Sequence, residues 1–112
     1  MMTRKIVEYL NEYGDSPFGM WFSQLNADAA AKIATALYRM EQGNLSKSKS
    51  VGKGVFEYKL NFGPGYRIYF GQDGNVLVIL LHGGTKKRQN QDISFAHGLW
   101  ADYKARKKQA QD

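Results

Sequence analysis

Phe18, Trp21, Phe22 and Leu25 recur at i, i+3, i+4 and i+7, which is one face of a short helix. Ser16 is placed to cap it, and Pro17 fits its first position, where the missing N–H costs nothing. Ile33, Ala36, Leu37 and Met40 repeat the helical spacing, behind a cap at Asn26 or Asp28 and before a stop at Gly43. The very short join makes the two helices an αα-hairpin, and the aromatic stripe is read as core. Ahead of them, residues 4–10 predict a strand, since Ile6 and Val7 are β-branched and Tyr9 is aromatic.

Residues 45–54 are polar, basic and punctuated by glycine, and are read as a loop. The period then becomes two. Phe56, Tyr58, Leu60 and Phe62 share one face, with Glu57, Lys59 and Asn61 on the other. Gly63-Pro64-Gly65 turns the chain into a strand over residues 66–70, in which Arg67 and Tyr69 oppose Tyr66, Ile68 and Phe70. An Asp73-Gly74 turn leads to a near-continuous apolar strand over residues 76–81, the pattern of a central strand covered on both faces. His82-Gly83-Gly84-Thr85 is expected to leave the sheet, before a last helix carrying Ile93, Ala96, Leu99 or Trp100, and Tyr103. The order β-α-α-β-β-β-α predicts one α+β domain over residues 1–112. Its antiparallel sheet carries the helices on one face, and residues 104–112 form a charged, frayed tail.

Composition narrows the function. The 112 residues suit a single core, and 15 aromatics with an apolar fraction of 43% exclude general disorder. Zero Cys removes disulfides, thiolate nucleophiles and Cys-based zinc sites. No apolar run approaches membrane-spanning length, and the first residues lack a leader's apolar stretch, so a cytoplasmic protein without a membrane partner is expected. Charge is lopsided: residues 1–50 carry net +1 and residues 51–112 net +5. A basic half suggests a polyanionic partner, nucleic acid ahead of membrane.

Dinucleotide, nucleotide-loop and zinc-protease motifs are absent, and so is a Ser nucleophile elbow. His82 and His97 stand fifteen residues apart with no carboxylates at ligand spacing, so neither a metal nor another cofactor is expected. His82 is kept as a possible site residue, and His97 as a rim residue of the last helix. What remains is basic. Lys59 and Arg67 flank a tight turn on the face opposite the apolar one, and Lys53 and the Lys86-Lys87-Arg88 cluster stand where they could rim it. Tyr69 shares the side of Arg67. Cations interleaved with an aromatic suit RNA, charges holding phosphates while a ring stacks on a base.

Residues 56–70, read Phe-Glu-Tyr-Lys-Leu-Asn-Phe-Gly-Pro-Gly-Tyr-Arg-Ile-Tyr-Phe, are followed by Leu80-Leu81-His82-Gly83-Gly84, Lys86 and Gln89-Asn90-Gln91-Asp92-Ile93. This combination closely resembles the RelE/ParE superfamily of type II toxins, best its HigB-like addiction module killer branch. The segments Gly14-Asp15-Ser16-Pro17-Phe18 and Gly43-Asn44-Leu45 fit that branch too, and the resemblance spans roughly residues 5–103. It implies a small endoribonuclease that cleaves messenger RNA, usually on the translating ribosome, and is neutralised by a cognate antitoxin, here expected to be a small helix-turn-helix protein encoded alongside.

By that resemblance Arg67, Lys59 and Lys86 surround the scissile phosphate as catalytic residues; Lys53, Tyr69, Lys87, Arg88 and Gln89 are expected to bind RNA. Arg67 matches the branch's strand arginine and Lys86 its lysine after the last strand. Glu57 stands where some relatives carry a second cation, Lys87 and Arg88 replace small polar residues, and the relatives' tyrosine near the end is absent. The site expected is one of cations without a well-placed carboxylate, with Arg67 exposed. The alternatives are a non-catalytic ParE-like toxin that binds DNA gyrase, a small basic RNA-binding module and a structural phage protein.

Overall fold

The computed structural model describes residues 3–75 and 77–111. Met1, Met2 and Asp112, at the ends of the expected domain, and Val76, the expected first residue of the apolar strand, lie outside them. The elements run β1 (Lys5–Glu8), α1 (Pro17–Phe22), α2 (Ala27–Glu41), β2 (Ser48–Ser50), β3 (Val55–Lys59), β4 (Tyr66–Asp73), β5 (Leu77–Thr85), a 3₁₀ turn (Lys86–Arg88) and α3 (Gln89–Gln111). The α+β class stands. Ser16 Oγ accepts from the Gly19 amide at 2.9 Å, with Pro17 at the first helical position, and Asn26 Oδ1 accepts from the Ala29 amide at 2.9 Å. Of the two candidate caps for α2, Asn26 is the one used.

Among the described residues the strands form one sheet in the order β1-β5-β4-β3-β2. It is mixed rather than antiparallel, because β1 pairs with β5 in parallel, Ile6 opposite Val78. No hairpin ties β1 to β5, so no tight turn sets its direction. The loop expected over residues 45–54 contains β2, whose Ser-Lys-Ser pairs with β3 through backbone groups and is largely solvent-facing. A short, polar edge strand carries no hydrophobic period to betray it.

The larger departure concerns coverage. The helices lie on both faces of the sheet, not on one. Phe18 of α1 and Ile33, Ala36 and Met40 of α2 pack with Tyr58, Tyr66, Ile68, Phe70, Val78 and Leu80 on one side. Ala96 and Trp100 of α3 pack with Val55, Tyr69, Ile79 and Leu81 on the other. A tryptophan marks each layer. Trp21 lies on Gly83 and Trp100 on Gly71, close enough that a methyl at either glycine would fall 2.1 Å or 2.4 Å from the ring. A bulge between Tyr69 and Phe70, where Tyr69 pairs with His82 and Phe70 with Leu80, turns both Leu81 and His82 to the α3 side.

The stretch expected to be a frayed tail continues α3 through Gln111. Tyr103 Oη donates to Asp73 at 2.7 Å, Lys107 Nζ to the same carboxylate at 2.6 Å, and Tyr9 Oη to Asp102 at 2.6 Å. Of these, the Lys107 contact lies within residues 104–112, and the other two anchor the part of α3 just before them. No helix among the described residues is long and apolar enough to cross a membrane.

Candidate functional site

The parity read from the sequence holds: Glu57, Lys59, Arg67 and Tyr69 share one face, with Lys59 opposite Arg67 and Glu57 opposite Tyr69. What parity does not reveal is that α3 begins on top of that face. Arg67 is therefore 3% exposed, not projecting into solvent. Its Nε lies 4.0 Å from Glu57 Oε1, and Nη1 donates to the Gly65 carbonyl. Glu57 is 1% exposed, and its other oxygen accepts from Gln89 Nε2 at 2.8 Å. Gln89, expected to bind RNA, is thus occupied with holding the first turn of α3 to β3.

Tyr69, expected as a stacking platform, is fully buried, and its hydroxyl has no hydrogen-bond partner. Burial, with the Glu57 and Asp92 carboxylates nearby, pushes its phenol far above the ordinary value, so it stays protonated. His82 stays within β5, which runs on to Thr85 rather than ending before it. Its Nε2 meets Asp92 Oδ1 at 3.1 Å, while Nδ1 is buried without a partner. Burial lowers its pKa against the opposing pull of Asp92, which favours the neutral ring.

The expectation of a site without a placed carboxylate is thereby corrected, since Glu57 and Asp92 are both built into this face. Asp92 sits in the first turn of α3 over Gly84, where a methyl would fall 2.0 Å from Oδ2. The sequence carried a signal for it: an acidic residue at a helix start, after a glycine pair that leaves room for it.

The exposed cations expected at the site divide into two places. Lys59 lies at the end of β3 as the cross-strand neighbour of Arg67. Lys86 folds back over the β3–β4 turn: its amide donates to Pro64 O at 3.3 Å, and a methyl on Gly65 would lie 3.3 Å from its Cβ and 2.7 Å from Arg67 Nη1. Arg67 and Lys86 thus meet at Gly65, with Lys59 across the strand pair from Arg67 and exposed Lys87 and Arg88 following in the 3₁₀ turn. Gly65 has φ +77°, which an L side chain rarely adopts, and the room left by its missing side chain is taken by Arg67 Nη1 and the Lys86 side chain.

Lys53 is not part of this group. It sits in the β2–β3 turn with φ +54°, and its neighbours Gly52 and Gly54 lie against His97 and Trp100 of α3, at the opposite end of β3. His97 bonds Val51 O at 2.9 Å. Among the described residues no group of three or more His, Asp or Glu side chains is gathered in a way that would hold a metal ion.

Residues 20–97 match the family described as "Phage derived protein Gp49-like (DUF891)". The chain belongs to the Gp49-like family. That family is toxin-like and related to addiction modules. The Gp49-like chain is also 45% identical over 80 residues to an uncharacterized protein of Haemophilus influenzae, a match covering 70% of this chain and 81% of the relative. The matched family segment runs from α1 to the middle of α3 and so includes every member of the Gly65 constellation.

Proposed function

We propose that the Gp49-like chain is the toxin of a type II toxin–antitoxin pair, a HigB-like member of the RelE/ParE superfamily, and that it is a messenger RNA endoribonuclease that inhibits translation. The observation that carries this reading is the meeting of Arg67 and Lys86 at Gly65, with Lys59 the cross-strand partner of Arg67 and exposed Lys87 and Arg88 alongside. Toxin-family membership implies a cognate antitoxin. A small helix-turn-helix protein encoded next to the toxin is the partner proposed, and the translating ribosome is the setting.

The chemistry asks little of the protein. The 2′-OH of one nucleotide attacks the adjacent phosphorus, the bond to the 5′-oxygen of the next nucleotide breaks, and a cyclic phosphate and a 5′-OH result. The 2′-OH proton goes to a base, and a proton is returned to the departing oxygen. Lys59 and Lys86 are the exposed lysines beside Arg67 for those transfers. Arg67 Nη1, which donates to the Gly65 carbonyl, exchanges that carbonyl for a non-bridging phosphate oxygen and offsets the charge that develops there. Tyr69, held protonated and buried, and His82, whose ring nitrogens are bonded or buried, take no proton.

Such a site orients and stabilises charge but transfers protons poorly, so it relies on the ribosome to place the message. The non-catalytic, gyrase-binding alternative draws on one observation, the burial of Arg67 against Glu57. Cleavage is expected to need no metal. Purified protein pre-treated with chelator should still cut a message in a translating extract. Activity that vanishes on chelation and returns with one particular divalent ion would overturn this part of the reading.

A further inference from the structure

With Tyr69 buried, the basic face loses the aromatic that a splayed base would need. Phe95 supplies another. It is 47% exposed on α3, and its ring meets His82 edge-on at 4.8 Å and 81°. Arg88 precedes it by seven residues, in the exposed 3₁₀ turn that leads directly into α3. Arg88 is also close enough to His82 to disfavour its charged form. Among the described residues the other large exposed apolar side chains, Leu10, Tyr13, Met20 and Tyr38, belong to β1–α1, α1 and α2 rather than to α3.

We propose that Phe95, backed by His82, is a stacking site for an unpaired nucleobase of single-stranded RNA whose phosphates lie on Lys87 and Arg88. The proposal rests on the RNA reading above and adds to it a base-binding subsite. An exposed phenyl ring in water is unfavourable surface, and a base has two apolar faces to cover it. The cations hold the backbone whatever the sequence, and the ring adds affinity for any base. His82 gives the ring a seat, because Asp92 holds the imidazole from α3 and the Tyr69 ring lies nearly parallel to it at 6.4 Å on the neighbouring strand.

The test uses the full chain and two labelled ten-nucleotide probes, 2′-O-methyl oligoadenylate and its abasic counterpart. Neither can be cut, because the attacking hydroxyl is blocked. Anisotropy should show the native protein favouring the base-bearing probe by about tenfold. Phe95→Leu keeps an apolar body on His82 and should erase most of that preference without changing the salt dependence. Phe95→Trp should keep or enlarge it. If Phe95→Leu retains the preference, or weakens both probes equally, the stacking site is wrong while RNA binding stands. If Phe95→Leu binds RNA normally and loses only the antitoxin, the residue belongs to a protein interface and the proposal falls. If the native protein binds neither probe, the stacking site falls, while the ribonuclease reading is decided separately by translation-dependent cuts in a reporter message.

Discussion

Arg67→Ala is expected to destabilise the protein by about 3–5 kcal/mol, because it leaves the Glu57 carboxylate buried without its cation. That is a large part of the stability of a domain this size. Loss of growth arrest in this variant would therefore say little about chemistry. The informative variant is Arg67→Met combined with Glu57→Gln, which removes both charges together, keeps an acceptor for Gln89 and gives the Tyr69 hydroxyl a neutral neighbour. It should melt within a few degrees of the native protein and yet be non-toxic. A folded double variant that still arrests growth would show that Arg67 is structural and takes no part in the reaction.

Trp100→Ala is expected to cost about 3–5 kcal/mol as well, by a different route. The indole is 6% exposed, lies on Gly71 and against Gly54, and stacks on Tyr103 at 5.1 Å. Removing it takes away the main apolar anchor of α3. Thermal melting should fall by more than about 10 °C. Gly71→Ala drives a methyl into the same ring and should lower stability by about 1–3 kcal/mol, with no buried surface removed. A Trp100→Ala protein that melts like the native one would show that α3 does not cover this face of the sheet.

Much of this arrangement is legible in the residues. The caps at Ser16 and Asn26, the helical hairpin and the alternation through β3 and β4 follow from local rules and are found as expected. The continuous apolar run in β5 already reads as a strand covered on both faces. It is at odds with a sheet carrying helices on one side only, and the structure resolves the conflict in favour of the run. Glu57, Arg67 and Tyr69 mislead because their face looks polar, and a polar face ordinarily meets water. Here the charges meet each other under α3: Glu57 lies against Arg67 and Gln89, and Asp92 against His82.

Nothing in single-residue chemistry announces such pairings, which join positions ten to thirty-two residues apart. The burial of Tyr69 and the exposure of Phe95 follow from the same cause. The direction of β1 and the existence of β2 escape for want of a turn or a period. The meeting of Arg67 and Lys86 at Gly65 depends on β5 running on to Thr85 beside Tyr66, which no local pattern announces.

Whether the Gp49-like chain cuts messages under translation is tested most directly by primer extension on a reporter message after brief induction, comparing an intact start codon with a mutated one. New 5′ ends within the reading frame are expected only when the message is translated, and none in a strain carrying the Arg67→Met, Glu57→Gln double variant. Intact messages, together with inhibited DNA supercoiling by gyrase, would contradict the ribonuclease account and favour the gyrase-binding one.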